Sequence, residues 1–492
     1  MSDPSGSGLR TGADYIASIR NDGRRVIVDG AVVRDVTAHP AFRAAVHSVA
    51  RLWDIAADPA NRATMTYPSP ATGRPVLRCW EIPRSPDDLK ARHRMSERWA
   101  EATFGLMGRT PDHVAGFFAG FAAKPSVFAA AGPQFAENVV RFYEFARDHH
   151  LYVSYAIVPP QIDRSKPAHK QSDPTLYAGV VAERDGGIVL KGAQQLATGA
   201  MLSDYLHLSC IHPLAPGDEA YALSVAMPIN APGLKIYARR PYATAATSSF
   251  DYPLSSRFDE TDALVVLDDV FVPWERVFVY RNIALCRDQW WRTPSHVYGN
   301  HQAQVRYATK LRFLMGLAKR LTEITGSGSL PPVQIMLGEM AAIASIVENM
   351  VTAQEAAATI DEEGTVWPSR TALYAVMALQ SELNPRIVEI VRELAGGALI
   401  MLPSSVRDFE NPEAAADLQR YVHSPGFDAR SRVALLKLLW DIVGSEFAGR
   451  QQQYEKFYGG ASFLVKQNMY RCYDFARAEA LVQAALDLPE PD

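Results

Sequence analysis

Cysteine is scarce in this chain of 492 residues: four occur, Cys79, Cys210, Cys286 and Cys472, and the nearest two are 76 positions apart (286 − 210). That spacing excludes CxxC redox centres, paired zinc ligands and a disulfide framework, so the four read as reduced thiols. Net charge is nearly absent as well. Fifty basic residues against 54 acidic ones leave −4, which gives no general attraction for nucleic acid or for an anionic membrane. No run approaches the ~18 to 20 apolar residues of a membrane span. The opening Met-Ser-Asp-Pro-Ser-Gly-Ser-Gly has neither a basic region nor an apolar signal core, so a cytoplasmic location is expected. A dinucleotide fingerprint is missing too, because Gly6-Ser-Gly8 and Gly326-Ser-Gly328 lack both the spacing and a preceding strand, and read as linkers. Without a Walker loop, HExxH or GxSxG there is no local sign of nucleotide hydrolysis, zinc proteolysis or acyl-serine chemistry.

What is present is an ordinary globular composition, 48% hydrophobic and 21% charged, with length for about three domains. From Thr11 to about Phe145 apolar residues recur at helical spacing, as in Ala41, Phe42, Ala45, Val46, Val49, Ala50, Leu52 and Trp53, which predicts a helical domain over residues 1–150. After Arg164 the period shortens: Tyr221, Leu223, Val225 and Met227 alternate, and Arg184-Asp-Gly-Gly187 offers a hairpin turn. Residues 151–285 are therefore expected to form a central antiparallel β-domain. Beyond Asn300, Val305, Ala308, Leu311, Met315, Ala318 and Leu321 share one helix face, widened by Leu314, Leu317 and Ile324. So broad an apolar face predicts burial among other helices, and residues 286–492 read as a helical bundle. The whole is α+β in class. No internal repeat is visible, and the only low-complexity piece is the start of the chain.

Polar side chains suited to a site concentrate in two rigid reversals about fifty residues apart, Gly108-Arg-Thr-Pro-Asp-His113 and Pro159-Pro-Gln-Ile-Asp-Arg164. Their prolines fix φ and remove backbone donors, so side chains project from a defined backbone. Arg109 has two readings on residues alone: a turn arginine paired with Asp112, or a fixed cation in a pocket. Gln161 and Arg164 are by themselves ordinary polar loop residues. Phe457-Tyr-Gly-Gly460 reads as a helix-ending loop. His296 and His301 lie in a polar, Pro-interrupted segment just before a long helix.

These two reversals, with Leu9-Arg-Thr-Gly-Ala-Asp-Tyr15, Lys191-Gly-Ala-Gln-Gln-Leu-Ala-Thr-Gly199, Pro232-Gly-Leu-Lys-Ile236, Asp268-Asp-Val-Phe-Val-Pro-Trp-Glu-Arg-Val277, Asn300-His-Gln302 and Ser445-Glu-Phe447 to Gly460, resemble the 4-hydroxyphenylacetate 3-monooxygenase family, the reduced-flavin-dependent phenol hydroxylases. The resemblance implies an acyl-CoA dehydrogenase-like fold with an N-terminal helical domain, a central β-barrel domain and a C-terminal four-helix bundle. It implies FAD, bound as FADH2, with O2 as co-substrate, and ortho-hydroxylation of a small phenol through a C4a-hydroperoxyflavin. A separate NAD(P)H:flavin reductase and a homotetramer follow from the same likeness, with no nucleic-acid or membrane partner and no metal. Arg109 would line the phenol pocket, where a cation lowers the phenol pKa. Tyr155, Ala156, Ile157, Gln161, Arg164 and Thr198 would meet the flavin, joined by Phe457, Tyr458, Gly459 and Gly460, since an anionic reduced flavin needs donors. His296 or His301 would hold or give a proton at the flavin.

Two positions depart from the family pattern. His113 stands where the 4-hydroxyphenylacetate enzymes have tyrosine, and Tyr155 where they have a substrate-contacting histidine. Either the two types have exchanged places and keep one acid/base pair, with both positions catalytic, or the pocket serves another substrate. Rival readings are an acyl-CoA dehydrogenase, which would need a catalytic carboxylate such as Glu348, Glu355 or Glu446, and a flavin-binding protein without catalysis. A 4-hydroxybutyryl-CoA dehydratase-like lyase is disfavoured because its cluster needs cysteines near Gly108–His113 or after His301. The proline-rich stretch Leu206–Gly217 is expected to cover the pocket, and it carries no obvious cation for a substrate carboxylate.

Overall fold

The computed structural model describes residues 8–488; most of the Gly/Ser-rich start, Met1–Ser7, lies outside them. The N-terminal third is mainly helical, but unlike the helical domain expected over residues 1–150 it lends Val26–Val28 and Ala31–Val33 to the central sheet and holds a small hairpin, Thr66–Pro68 with Pro75–Leu77. In Arg43–Ala57 the residues Ala45, Val46, Val49, Ala50, Leu52, Trp53 and Ala56 are buried, the spacing read from the sequence. Pro86–Ala102 begins with a reciprocal cap in which Ser85 and Asp88 satisfy each other's backbone N–H groups, and Pro86 occupies the first turn, where no donor is needed. Pro111–Ala123 is buried on all sides except Ala122. It runs through the middle of the molecule against the longest helix, Ser295–Ile324, and glycine permits their approach. A Cβ on Gly120 would sit 2.2 Å from the backbone nitrogen of Ser295, and one on Gly299 would sit 2.0 Å from the Phe117 ring. Backbones this close fix the His113 and Phe117 side of one helix against the Gln302 side of the other.

The central segment contains two open sheets. One has six strands in the order Ala31–Val33, Val26–Val28, Leu234–Ala238, Ala263–Pro273, Gly187–Gln194, Gly179–Arg184; the other has four, Val277–Tyr280, Leu223–Pro228, Tyr205–Ser209, Val153–Ala156. This corrects two expectations. Neither sheet closes into a barrel, and the pairing is mixed, because Val26–Val28 runs parallel to Leu234–Ala238 and Val153–Ala156 parallel to Tyr205–Ser209. The expected hairpin is present, Arg184 pairing with Gly187 across a turn that places Gly186 at φ 82°. In Leu223–Pro228 the residues between Leu223, Val225 and Met227, Ser224 and Ala226, are buried as well. Leu206–Ser209 is not part of a covering loop but a wholly buried strand segment.

The C-terminal third is helical again, with Ser295–Ile324, Pro331–Ala356, Arg370–Ala395, Ala429–Val443 and Glu446–Phe457 packed on one another, followed by Ser462–Cys472 and Phe475–Leu486. The long helix begins at Ser295, so His296 lies in its first turn rather than before it. Pro331–Ala356 is long and apolar enough by composition to cross a membrane, contrary to the reading of the sequence, with 28% of its most apolar window buried.

Candidate active site

Three segments meet around Arg109. The first is the start of Pro111–Ala123, the second the end of the strand Val153–Ala156 with its bridge from Val158 to Gln195, the third the end of Glu446–Phe457. Arg109 is 7% exposed. Its backbone N–H and that of Gly108 donate to the Glu260 carboxylate at 2.9 and 3.1 Å. Its Nη2 donates to the Tyr458 carbonyl at 3.1 Å, its carbonyl accepts from the Tyr152 hydroxyl, and Nη1 has no protein partner. The guanidinium stands 5.3 Å from the Tyr155 ring centre and 5.2 Å from that of Tyr454. Gly108 is required for this packing, since a Cβ there would lie 2.0 Å from the Tyr454 hydroxyl oxygen. The turn pairing of Arg109 with Asp112 is not formed. Asp112 instead accepts from Thr110 Oγ1 at 2.5 Å and from Gln302 Nε2 at 3.1 Å, while burial pushes its carboxyl above the ordinary range.

His113 and Tyr155 line the same space, with ring centres 5.8 Å apart, and Phe117 lies 4.9 Å from the one and 5.7 Å from the other. Trp290 closes the far side of Phe117 at 5.3 Å. His113 Nδ1 lies 3.0 Å from Gln302 Oε1. Because the amide nitrogen of Gln302 is committed to Asp112, its oxygen faces His113, so Nδ1 must carry the proton and Nε2 the lone pair. Burial, reinforced by Arg109, holds the imidazole well below its usual pKa. His113 is a neutral base facing a fixed cation.

Behind this surface lies a buried polar network. Gln302, Arg306 and Lys310 are spaced by four on the long helix; Gln302 faces His113 and Asp112, while Arg306 and Lys310 face Gln451 and Glu455 of Glu446–Phe457. Glu455 accepts from Arg306 at 2.8 Å, Lys310 at 2.9 Å and Gln380 at 2.8 Å. Burial raises its carboxyl, but Arg306 and Lys310 prevail and bring it to about 2. Burial likewise lowers the Lys310 ammonium to about 8 against the pull of Glu455. Arg450 joins Glu260 at 2.9 Å to Asp262 at 2.7 Å, and Thr198 donates to Asp262 at 2.6 Å. Thr198 is thus tied to Arg109 through one carboxylate, one arginine and a second carboxylate. It stands past the end of its strand, which stops at Gln194.

The residues singled out from the sequence divide into two groups. Arg109, His113, Tyr155 and Tyr458 are brought together. Ala156 and Ile157 are buried directly after Tyr155, and Thr198 joins through the network. Phe457, Gly459 and Gly460 follow the helix end, Gly460 at φ 100°. Gln161 and Arg164 are exposed on the adjoining loop and hydrogen-bond to none of the cluster. His296 meets the Tyr374 hydroxyl at 3.0 Å, and His301 meets Glu355 at 3.1 Å, both turned away from Arg109. The long helix supplies Gln302 to His113 instead. Gln302, Tyr454 and Glu260 were not foreseen as site residues. The signal for the first was the polar stripe 302, 306, 310 inside an otherwise apolar helix.

Two open sheets held between helical segments, with the Arg109 cation, the neutral His113 imidazole and the Tyr155 phenol gathered among the rings of Phe117 and Trp290, define a mixed α/β protein with a buried polar cluster suited to an ionisable aromatic group. Residues 11–279 match the family described as 4-hydroxyphenylacetate 3-hydroxylase N terminal, and 286–487 its C-terminal counterpart. The chain is 37% identical over 470 residues to the 4-hydroxyphenylacetate 3-monooxygenase oxygenase component of Pseudomonas aeruginosa, covering 94% of this chain and 88% of that one. It is 35% identical over 460 residues to the oxygenase component of 4-nitrophenol 2-monooxygenase of Rhodococcus sp, covering 92% and 86%. Among solved structures, the oxygenase component of 4-hydroxyphenylacetate 3-monooxygenase complexed with FAD and 4-hydroxyphenylacetate superposes with a TM-score of 0.92 at 34% identity, over 97% and 98% of the two chains. The chain belongs to the 4-hydroxyphenylacetate 3-hydroxylase family and is a flavin-dependent monooxygenase.

Proposed function

We propose that this chain is the oxygenase component of a two-component system that uses reduced FAD and O2 to add a hydroxyl group ortho to the hydroxyl of a small phenol, and that Arg109, His113 and Tyr155 hold the phenol. The observation that carries this reading is the buried guanidinium of Arg109, whose Nη1 has no protein partner and which stands beside the Tyr155 and Tyr454 rings. An unpaired buried donor costs about 1–3 kcal/mol, and a phenolate oxygen would satisfy it. Donors near the site also fit an anionic flavin: the exposed Gln161 and Arg164 side chains on the adjoining loop, with Thr198, held by its bond to Asp262, and the Tyr458–Gly460 turn shaping the neighbouring surface. Reduced FAD supplies the electrons with which O2 is activated.

The protein's own contribution is to bind, orient and dry the reactants. Arg109 favours the ionised phenol, whose ring is the stronger nucleophile. The lone pair on His113 Nε2 accepts the phenol proton, and Gln302 keeps the imidazole in the tautomer that can do so. Phe117, Trp290 and Tyr155 exclude water, which would otherwise divert the activated oxygen to hydrogen peroxide. His296 and His301 act at one remove, through their helix, rather than on the phenol.

The finer architecture we assign is acyl-CoA dehydrogenase-like, with boundaries near residues 150 and 285 and the flavin crevice between the second and third parts. A homotetramer fits the apolar residues left exposed on the C-terminal helices, among them Ile335, Phe463, Tyr470 and Leu481. A cytoplasmic location belongs to this reading and is in keeping with an NAD(P)H-dependent reductase as the source of flavin. The test is a panel of phenols given with O2 and reduced FAD from a separate reductase, scoring hydroxylated product against hydrogen peroxide. Coupled hydroxylation of at least one phenol is expected, together with no oxidation of NADH by this chain alone. Rapid NADH oxidation by the chain alone, or peroxide as the only product with every phenol, would overturn the reading.

A further inference from the structure

On another face of the long helix, turned about 100° from that of Gln302, three helices bring two histidines and a carboxylate to one point. His93 comes from Pro86–Ala102, His301 from Ser295–Ile324 and Glu355 from Pro331–Ala356. Their ligand atoms all lie within 4.8 Å of one another. Glu355 Oε1 is 2.6 Å from His93 Nδ1 and 3.1 Å from His301 Nε2, and the two imidazole planes are nearly perpendicular at 84°. None of the three contacts the Arg109 pocket.

We propose that His93, His301 and Glu355 form a binding site for a divalent transition-metal cation of the zinc type. The donor set is two imidazole nitrogens and one carboxylate oxygen, which suits such ions better than Ca2+ or Mg2+, whose ligands are oxygens. The spacing is close to what coordination demands. Ligands at ~2.0–2.1 Å from a tetrahedral ion are about 3.3 Å from each other, and the two measured separations to Glu355 are 2.6 and 3.1 Å. Opening the cluster by a few tenths of an ångström, through rotation of the His93 side chain, admits the ion. That side chain is 25% exposed while those of His301 and Glu355 are 4% and 8% exposed, so the ion has an entry and room for a water as fourth ligand.

The surroundings support a cation. Glu97 Oε2 stands 4.0 Å from His93 Nε2, on the side away from Glu355, while its other oxygen pairs with Arg312; this is where carboxylates commonly steady a metal-bound imidazole. The Arg92 guanidinium is spent on the carbonyls of Cys79 and Glu81, and that of Arg312 on Glu97. Glu355 therefore has no arginine or lysine partner among the described residues, and the two histidines are its only hydrogen-bond partners. A bound ion would cross-link three helices directly behind Gln302 and so stiffen the wall that orients His113, a structural role that requires no redox change at the metal.

The experiment is a Zn2+ titration of the full-length protein after dialysis against a chelator, followed by calorimetry and metal analysis. One Zn2+ per chain is expected, with a higher thermal unfolding midpoint. His93→Ala and Glu355→Gln should each weaken Zn2+ binding by about 100-fold or more, whereas His149→Ala, on the surface, should leave it intact. Co2+ in place of Zn2+ should give the intense visible bands of a four-coordinate site in the wild-type chain, a readout that holds even where a variant fails to fold. A wild-type chain that binds neither ion, a Co2+ spectrum of weak six-coordinate type, or unchanged stoichiometry in folded His93→Ala and Glu355→Gln would leave a hydrogen-bonded brace and overturn the metal site.

Discussion

The rings of His113 and Tyr155 face each other across the pocket with centres 5.8 Å apart, and the Arg109 guanidinium lies 5.3 Å from the centre of the tyrosine ring. A histidine and a tyrosine at these two positions, in the reverse of the family's order, thus serve one space. If the exchange preserves an acid/base pair, the single variants His113→Tyr and Tyr155→His should each lose activity, and the double variant should recover part of it. A double-mutant cycle on the hydroxylation rate measures this, with a coupling of about 0.5–3 kcal/mol expected for residues in contact. Strict additivity would mean that the pocket was rebuilt for a different substrate.

Arg109→Met should uncouple the reaction without preventing flavin binding. Loss of a charge-assisted hydrogen bond of about 1.5–3 kcal/mol lowers hydroxylation by about one to two orders of magnitude. Oxygen consumption should continue, with the missing product recovered as hydrogen peroxide, and raising the pH should restore part of the rate by ionising the phenol without assistance. Product and peroxide measured on the same samples decide it. Unchanged coupling would leave Arg109 as a packing residue.

Gly120→Ala tests the helix contact that supports the pocket. The added methyl would fall 2.2 and 2.3 Å from the backbone nitrogen and Cα of Ser295, atoms with no freedom to rotate away. Overpacking of this kind costs about 1–3 kcal/mol. Chemical unfolding should show the loss, and a variant as stable as the parent would mean that the two helices separate easily.

Stability should fall as the pH drops below about 6.5, where histidines of the unfolded chain begin to protonate. Burial lowers His150 to about 4, His207 to about 3 and His296 to about 4, with Arg10 adding to the first shift and Arg370 to the last. These groups are neutral in the folded chain and free to protonate near 6.5 in the unfolded one. Their contribution is therefore complete above pH 6.5 and is lost as the pH falls toward 4, at about 1.4 kcal/mol per pH unit for each proton. His207, packed among Phe118, Phe121, Phe278 and Trp290, supplies one of them, so His207→Phe should flatten the slope by one proton. Unfolding free energies at pH 6.5, 5.5 and 4.5 give the answer, and equal slopes for parent and variant would contradict it.

The sequence by itself determined the order helix, sheet, helix, because that order rests on local signals. The 3.6-residue period of Ala45 to Trp53, the cap at Ser85 and the turn at Asp185-Gly186 act within a few residues. It also marked the chain segments of the pocket, since Pro111 and Pro159-Pro160 stiffen the backbone where they stand. Tertiary structure decided the rest. Alternation makes a strand but does not say whether a sheet closes, and the pairing of Val26–Val28 with Leu234–Ala238 joins residues some two hundred positions apart. Which side chain of Asn300-His-Gln302 reaches the pocket was likewise beyond local reading. Successive helical residues point about 100° apart, so His301 turns to His93 and Glu355 while Gln302 turns to His113, and only the packing of the neighbouring helices selects between them.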